Sequence, residues 1–256
     1  MSPARLLCLI TAILSLHASA SADWPAWQHN NRRTGSTDDA LPTEKLSLDW
    51  IWRSPAPPQT AWAGPAKYDA YAFHRNLPSM RNYDAVFHVI AVGDKIWFGS
   101  SSDDSVYCLN ADDGKEQWVV TTDGPVRLAP TWSQGRLYFG SDDGHARCVN
   151  ADNGQLIWKF TPANTDHLLL NNGRFIPHQP CRTGVVVDGE TAWFACAMLP
   201  WTDSFLCAVD AETGTTTAKH HFVRTLPGLT MEGAPALSSK VLVLPQGRVA
   251  PRMFDR

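Results

Sequence analysis

The 256 residues hold no Gly-x-Ser-x-Gly, no phosphate-cradling P-loop pattern and no His-Glu-x-x-His. The usual sequence marks of a serine hydrolase, a nucleotide-phosphate site and a zinc protease are therefore missing. An excess of one charge is missing too: 22 Lys and Arg stand against 25 Asp and Glu, for a net charge of −3. A nucleic-acid-binding surface would usually need a basic stripe, and none is present. The six cysteines include no adjacent pair and no Cys-x-x-Cys, which argues against a structural zinc site and a disulfide-stapled fold. The apolar run from Leu6 to Leu16 is too short to span a bilayer.

That run has another reading. Arg5 supplies a positive start, and Ala18-Ser19-Ala20 and Ala20-Ser21-Ala22 offer small-x-small cleavage sites. Residues 1–22 read as a secretory signal peptide, with the mature chain beginning near Asp23 in the periplasm or outside the cell. No transmembrane span is expected in the mature chain. Cys8 lies inside the apolar run and is not a lipid-attachment site. Cys108, Cys148, Cys181, Cys196 and Cys207 then face an oxidising compartment.

Seventeen Gly, 18 Pro and 11 Trp suit many short strands better than helices. One unit recurs along the chain. Val92 to Ser100 followed by Val106 to Trp118 is matched by Gln134 to Ser141 followed by Ala146 to Trp158. Phe98 and Phe139 are 41 residues apart, and Trp118 and Trp158 are 40 apart. A third copy, Asp188 to Phe194 and Leu206 to Gly214, is stretched by insertions before and inside the unit. A fourth begins at Ala234. A period near 40 residues with four short strands per unit predicts an all-β propeller, with blades at about 85–122, 125–162, 180–222 and 231–256. Two-residue turns are expected at Gly93-Asp94, Gln134-Gly135 and Asp188-Gly189. The acidic turns after Asn110, Asn150 and Asp210 are read as turn chemistry rather than calcium loops, because their acidic ligand density is low.

Ala111, Gly114 and Trp118, Ala151, Gly154 and Trp158, and Ala211 with Gly214 resemble the tryptophan docking motif of pyrroloquinoline-quinone-like propeller repeats. The third copy has Ala218 where Trp would fall. Asp23 to Gly35, Pro245 to Arg248 and Phe254 to Arg256 are also similar to members of that family, especially secreted bacterial ones. The resemblance implies a ring that closes with seven or eight blades. Three blades and the start of a fourth would form an open arc with two unpaired edges. Truncation, ring closure by self-association and divergent extra blades are the alternatives. The end at Arg256, where a blade turn should continue, favours the first. Within 23–84, Leu46 to Arg53 offers a closing strand, and the proline-rich stretch after it reads as loops.

The family includes quinoprotein alcohol dehydrogenases, a subunit of the outer-membrane assembly machine, and many secreted proteins of unknown role. The resemblance therefore allows three functions: an exported binding or scaffold module, a fragment of a quinone-dependent dehydrogenase, or an outer-membrane assembly subunit. The second would need pyrroloquinoline quinone with calcium. No complete constellation for that cofactor or for catalysis is evident, so the expectation is a module without a cofactor, partnered by a protein or a small polar ligand.

Candidate site residues are few. Arg127, Arg182 and Glu232 open the first strand of successive blades and could form a charged ring at one channel mouth, suited to a small anion or a partner's tail. Taking Asp188-Gly189 as the turn makes paired positions sum to 377, which sets Cys181 opposite Cys196. A disulfide and two free thiols both remain open. Cys108 and Cys148 are expected as buried free thiols. The pair His220-His221 reads as a solvated strand end and His178 as a loop histidine, and Asp103-Asp104 and Asp142-Asp143 as hairpin turns.

Overall fold

A computed structural model describes residues 23–40, 46–56, 88–171, 174–247 and 249–256. The expected signal peptide, most of the proline-rich stretch and Arg248 lie outside the described residues. Seventeen strands and no helix occur among those described.

Each repeat folds into one antiparallel sheet. Blade 1 comprises β1 (Val89–Val92), β2 (Lys95–Ser100), β3 (Ser105–Asn110) and β4 (Glu116–Thr121). Blade 2 comprises β5 (Thr131–Ser133), β6 (Arg136–Gly140), β7 (Ala146–Asn150) and β8 (Leu156–Phe160). A two-stranded hairpin, β9 (Leu168–Asn171) and β10 (Arg174–Pro177), fills the insertion that follows. Blade 3 comprises β11 (Val186–Asp188), β12 (Thr191–Cys196), β13 (Asp203–Asp210) and β14 (Phe222–Pro227). Its outer strand begins where the repeat was expected to end. The fourth sheet holds three strands, β15 (Ala236–Leu237), β16 (Val241–Leu244) and β17 (Arg252–Asp255).

No blade has a core of its own. A single sheet cannot bury both faces, so the apolar side chains meet in the seams between sheets. One cluster joins blades 1 and 2 through Trp97, Phe139 and Val149. A second joins blades 2 and 3 through Tyr138, Trp158 and Phe194. A third joins blades 3 and 4 through Trp193, Met231 and Leu244.

The docking motif explains how the seams close. Trp118 Nε1–H donates to Ala151 O at 3.2 Å, and Trp158 Nε1–H donates to Ala211 O at 2.9 Å. Each indole covers the glycine of the next blade's turn. A Cβ on Gly214 would lie 2.7 Å from the Trp158 ring, and one on Gly154 2.9 Å from Trp118. The turns themselves are held by their polar side chains. Asn110 Oδ1 accepts from the N–H groups of Asp112 and Asp113 at 2.9 and 3.1 Å, and Asp210 Oδ1 accepts from Glu212 and Thr213 at 3.0 and 2.7 Å.

Blade 3 departs from the expectation built on Ala218. Phe222, not residue 218, stands where Trp118 and Trp158 stand, opposite Ala208 and in line with Trp193. The longer turn after Gly214 moves the outer strand on by several residues. The seam is thus sealed by Phe222, whose ring packs edge-on against Trp193 at 5.8 Å.

Two further expectations change. The blade 3 turn is Gly189-Glu190, because Asp188 pairs with Thr191. Glycine takes the first loop position, at φ +56°, as Gly93 does at φ +60° in blade 1. Paired positions there sum to 379, and the alignment of 377 returns only farther along, where Ala197 N–H donates to Pro180 O at 3.2 Å. Cys181 and Cys196 do lie against each other, yet both are free thiols, as are Cys108, Cys148 and Cys207. Leu46 to Arg53, expected as a closing strand, joins no ladder among the described residues. It packs on blade 1 through Trp50 and Trp52.

Residues 23–33 run across the inner strands of all four blades. Trp24 bridges Ala91, Pro25 O accepts from Trp132 N–H at 2.7 Å, and Asn31 Nδ2–H donates to Val187 O at 2.7 Å. Leu237 N–H then donates to Asn31 O at 2.7 Å, and Arg33 Nε–H to Pro235 O at 2.7 Å. The segment takes up backbone groups that an innermost strand would otherwise leave open.

Replacing Trp158 with Ala removes a buried ring and a hydrogen bond together, and should lower unfolding free energy by about 3–5 kcal/mol in urea titration. Replacing the exposed Trp201, 78% accessible, should change it by less than about 0.5 kcal/mol. Equal losses would show that the seam does not depend on the docked indole.

Candidate functional site

The loops before each inner strand and the loops between the second and third strands gather at one end of the blades. Arg127 and Arg182 occupy the first kind, and Asp142 the second. The structure brings these three together. Arg127 Nε–H reaches both Asp142 carboxylate oxygens at 3.0 Å, and its Nη2 reaches Oδ2 at 2.6 Å. Arg182 donates from Nε to Oδ1 at 3.1 Å and from Nη2 to Oδ2 at 3.0 Å. Asp142 is fully buried, so it is not the simple turn residue its sequence position suggested. Glu232 does not join this cluster. Its carboxyl lies beside Gly247, while the adjacent Gly233 N–H donates to Arg182 O at 3.1 Å.

Burial alone would raise the Asp142 pKa. The two guanidinium groups overcome it and hold the carboxyl down at about 2. The neighbouring Asp143 follows the same logic. Burial works against its charge, but His145 and Arg147 pull its pKa well below the ordinary carboxylate range. Arg147 Nη1 donates to Asp143 Oδ1 at 3.0 Å, and a second guanidinium hydrogen bond runs to Oδ2. The expected charged ring is therefore an internally paired lattice that locks loops of blades 2 and 3 together. Packing there is tight: a Cβ on Gly140 would sit 2.6 Å from Cys181 O.

Beside this cluster stand two insertions. The hairpin β9–β10 turns Ile176 inward, 3% exposed, with Leu169 partly buried. Its other face presents Leu168, Leu170 and Phe175 to solvent, at 51%, 65% and 71% exposure. Leu170 and Phe175 are cross-strand partners, so they share one face. Gln179 Nε2–H ties the base of the hairpin to Asp203 O at 3.2 Å, next to the loop that carries exposed Trp201. The sequence marked these stretches only as insertions. The run Leu168-Leu169-Leu170 bounded by polar residues was the one available signal.

At the opposite end lies an open cavity of about 600 Å³, lined by the crossing segment (Asn30, Asn31, Arg32, Thr34) and by Asp188 and Arg256, which pair with each other. His221 is buried rather than solvated, its Nε2 lying 3.3 Å from Thr191 Oγ1. His178 is partly buried beneath the hairpin, where its N–H donates to His167 O at 3.2 Å.

The family model described as outer membrane protein assembly factor BamB matches residues 51–222. The chain belongs to this family of pyrroloquinoline-quinone-like repeats. Among solved structures, quinohemoprotein alcohol dehydrogenase from Comamonas testosteroni aligns over 88% of the chain and 35% of its own, at 12% identity and a TM-score of 0.58. BamB from Moraxella catarrhalis aligns over 64% of the chain and 43% of its own, at 15% identity and a TM-score of 0.46. Alcohol dehydrogenase ADHIIG from Pseudomonas putida HK5 aligns over 62% and 28%, at 16% identity and 0.49. The chain spans less than half the length of each. The likeness to the first is one of fold. No curated protein sequence matches the chain.

No three His, Cys, Asp or Glu side chains among the described residues come together as metal ligands, and the buried carboxylates Asp142 and Asp143 are paired with guanidinium groups.

The depressed Asp142 pKa sets a pH dependence. Its contribution is present above the unfolded value near 4 and disappears as pH falls through the folded value near 2, an effect of about 2 kcal/mol. Urea midpoints measured between pH 5 and pH 2 should fall accordingly. Asp142→Asn should remove part of that slope while lowering stability at neutral pH by about 3–5 kcal/mol, because two buried guanidinium groups lose their partner.

Proposed function

We propose that this chain is an exported, non-catalytic scaffold that binds another protein on the face carrying the β9–β10 hairpin. The apolar side of that hairpin is the observation that carries the reading. Leu168, Leu170 and Phe175 are exposed on one face, and clustered exposed apolar groups with an aromatic anchor are typical of protein-binding surfaces. The polar groups of the neighbouring cluster are consumed by internal pairing, so they hold the platform rigid rather than turn over a substrate. Family membership supports the same reading, since its model is described by an outer-membrane assembly factor. Export is supported by the signal-like residues 1–22. The partner class that suits both is an envelope protein presenting an apolar segment.

Placing a photo-crosslinking side chain at Phe175 should yield a discrete adduct with one envelope protein in cells. The same side chain at Val223, exposed on β14 at 41%, should not. In the presence of Leu170→Asp the Phe175 adduct should fall at least about tenfold. Adducts of equal yield at both positions, or none at 175, would count against the reading.

A further inference from the structure

Five buried cysteines occur among the described residues. Cys108 and Cys148 stand opposite Trp118 and Trp158, where burial pushes their thiols up to about 12. The other three, Cys181, Cys196 and Cys207, meet in the cluster that joins blades 2 and 3.

The segment leading into blade 3 sets their geometry. Ala197 N–H donates to Pro180 O at 3.2 Å, so residues 180 and 197 form a hydrogen-bonded pair. Cys181 and Cys196 are then the neighbouring non-hydrogen-bonded pair. Such partners stand about 4.5 Å apart at Cα, with their side chains closest. Cys181 N–H turns the other way, to Ser141 O at 3.0 Å, as that register requires. The two thiols are in hydrogen-bonding contact. Packing holds both in place. A Cβ on Gly140 would lie 2.7 Å from Cys181 Sγ, and Cys196 Sγ lies 3.9 Å from Gly144 O.

Cys207 is placed differently. It faces Phe194, while Phe205 faces Cys196, so Cys207 is the diagonal neighbour of Cys196 on β13. Diagonal neighbours stand about 7–8 Å apart. A disulfide joins Cα atoms about 4.4–6.8 Å apart. Cys181 with Cys196 meets that condition and Cys196 with Cys207 does not.

We propose that Cys181 and Cys196 become a disulfide when the chain folds in an oxidising compartment, the structure showing the pair in its reduced form. The oxidant is another disulfide, of a small thiol or of a thiol–disulfide exchange protein. One cysteine thiolate attacks it, forms a mixed disulfide and releases one thiol. The second cysteine displaces the remaining thiol. Two protons and two electrons leave the cysteine pair, and the oxidant ends as two thiols. Both sulfurs are buried in the folded chain, so exchange takes place before the seam between blades 2 and 3 closes. The same burial then shields the bond from reductants.

The bond has a place in the binding platform. Gln179 ties the hairpin stem to Asp203 O, and Arg182 pairs with Asp142. Cys181 lies between them in sequence, so its bond to β12 fixes the hairpin stem and the arginine loop together. The oxidising compartment rests on the export reading; the pairing geometry does not.

The full chain, synthesised cell-free in a buffer of reduced and oxidised glutathione and digested without reductant, should yield a peptide pair linked through Cys181 and Cys196. Cys108, Cys148 and Cys207 should remain alkylatable after unfolding. The linked chain should melt at least about 5 °C above the same chain kept reduced. Free thiols at 181 and 196, a different pairing, or equal melting temperatures would overturn the proposal. A bond that forms in glutathione buffer but is missing from the chain isolated from cells would support the pairing and count against export.

Discussion

Everything in this fold hangs on a flat ring lying over a turn that has no side chain. Trp50, Trp118 and Trp158 each bury an indole against a glycine of the next turn and donate the indole N–H to an alanine carbonyl there. Neither part works without the other. A Cβ on the glycine would strike the ring, and an indole buried without an acceptor would carry an unpaired donor into the seam. Because the apolar clusters lie between sheets, each blade is stable only with a neighbour, as in other stacked-repeat proteins. Where the ring changes to Phe222, the indole N–H is gone and edge-on packing against Trp193 holds the ring in place.

The second layer of order is electrostatic. Two arginines from successive blades share one buried carboxylate, Asp142, while Asp143 beside it holds Arg147. Placing ions in so dry a setting costs free energy that only close, multidentate pairing offsets. The result ties the loops at one end into a fixed platform. At the inner edge the crossing segment does comparable work, giving four unpaired strand edges hydrogen-bond partners from residues 23–33.

These two devices bear on function together. Arg127 and Arg182 pair with the buried Asp142 carboxylate. An exposed apolar surface at that end lies on a hairpin that the repeat does not require. Scaffold proteins commonly keep the repeated framework rigid and place recognition on such insertions.

The repeat was legible in the sequence because its physics is local. A glycine in a tight turn, an Asx side chain bonding its own backbone and alternating apolar strands each leave a pattern within a dozen residues. The blade order, the first two turns and the docking residues from Ala111 to Gly214 follow from that. What stayed hidden needed contacts between distant residues. Asp142 looks like any acidic hairpin residue until Arg127 and Arg182 arrive from two blades. Phe222 replaces the expected position 218 because a longer turn shifts the strand. Cys181 and Cys196 come together as free thiols although the hairpin register differs from the one their spacing suggested. Residues 23–33 show no strand pattern because their partners lie on four separate sheets. Local chemistry determined the blade; the seams, the buried ions and the crossing segment were decided only by the tertiary structure, since a burial or a charge pairing exists only once both sides are in place.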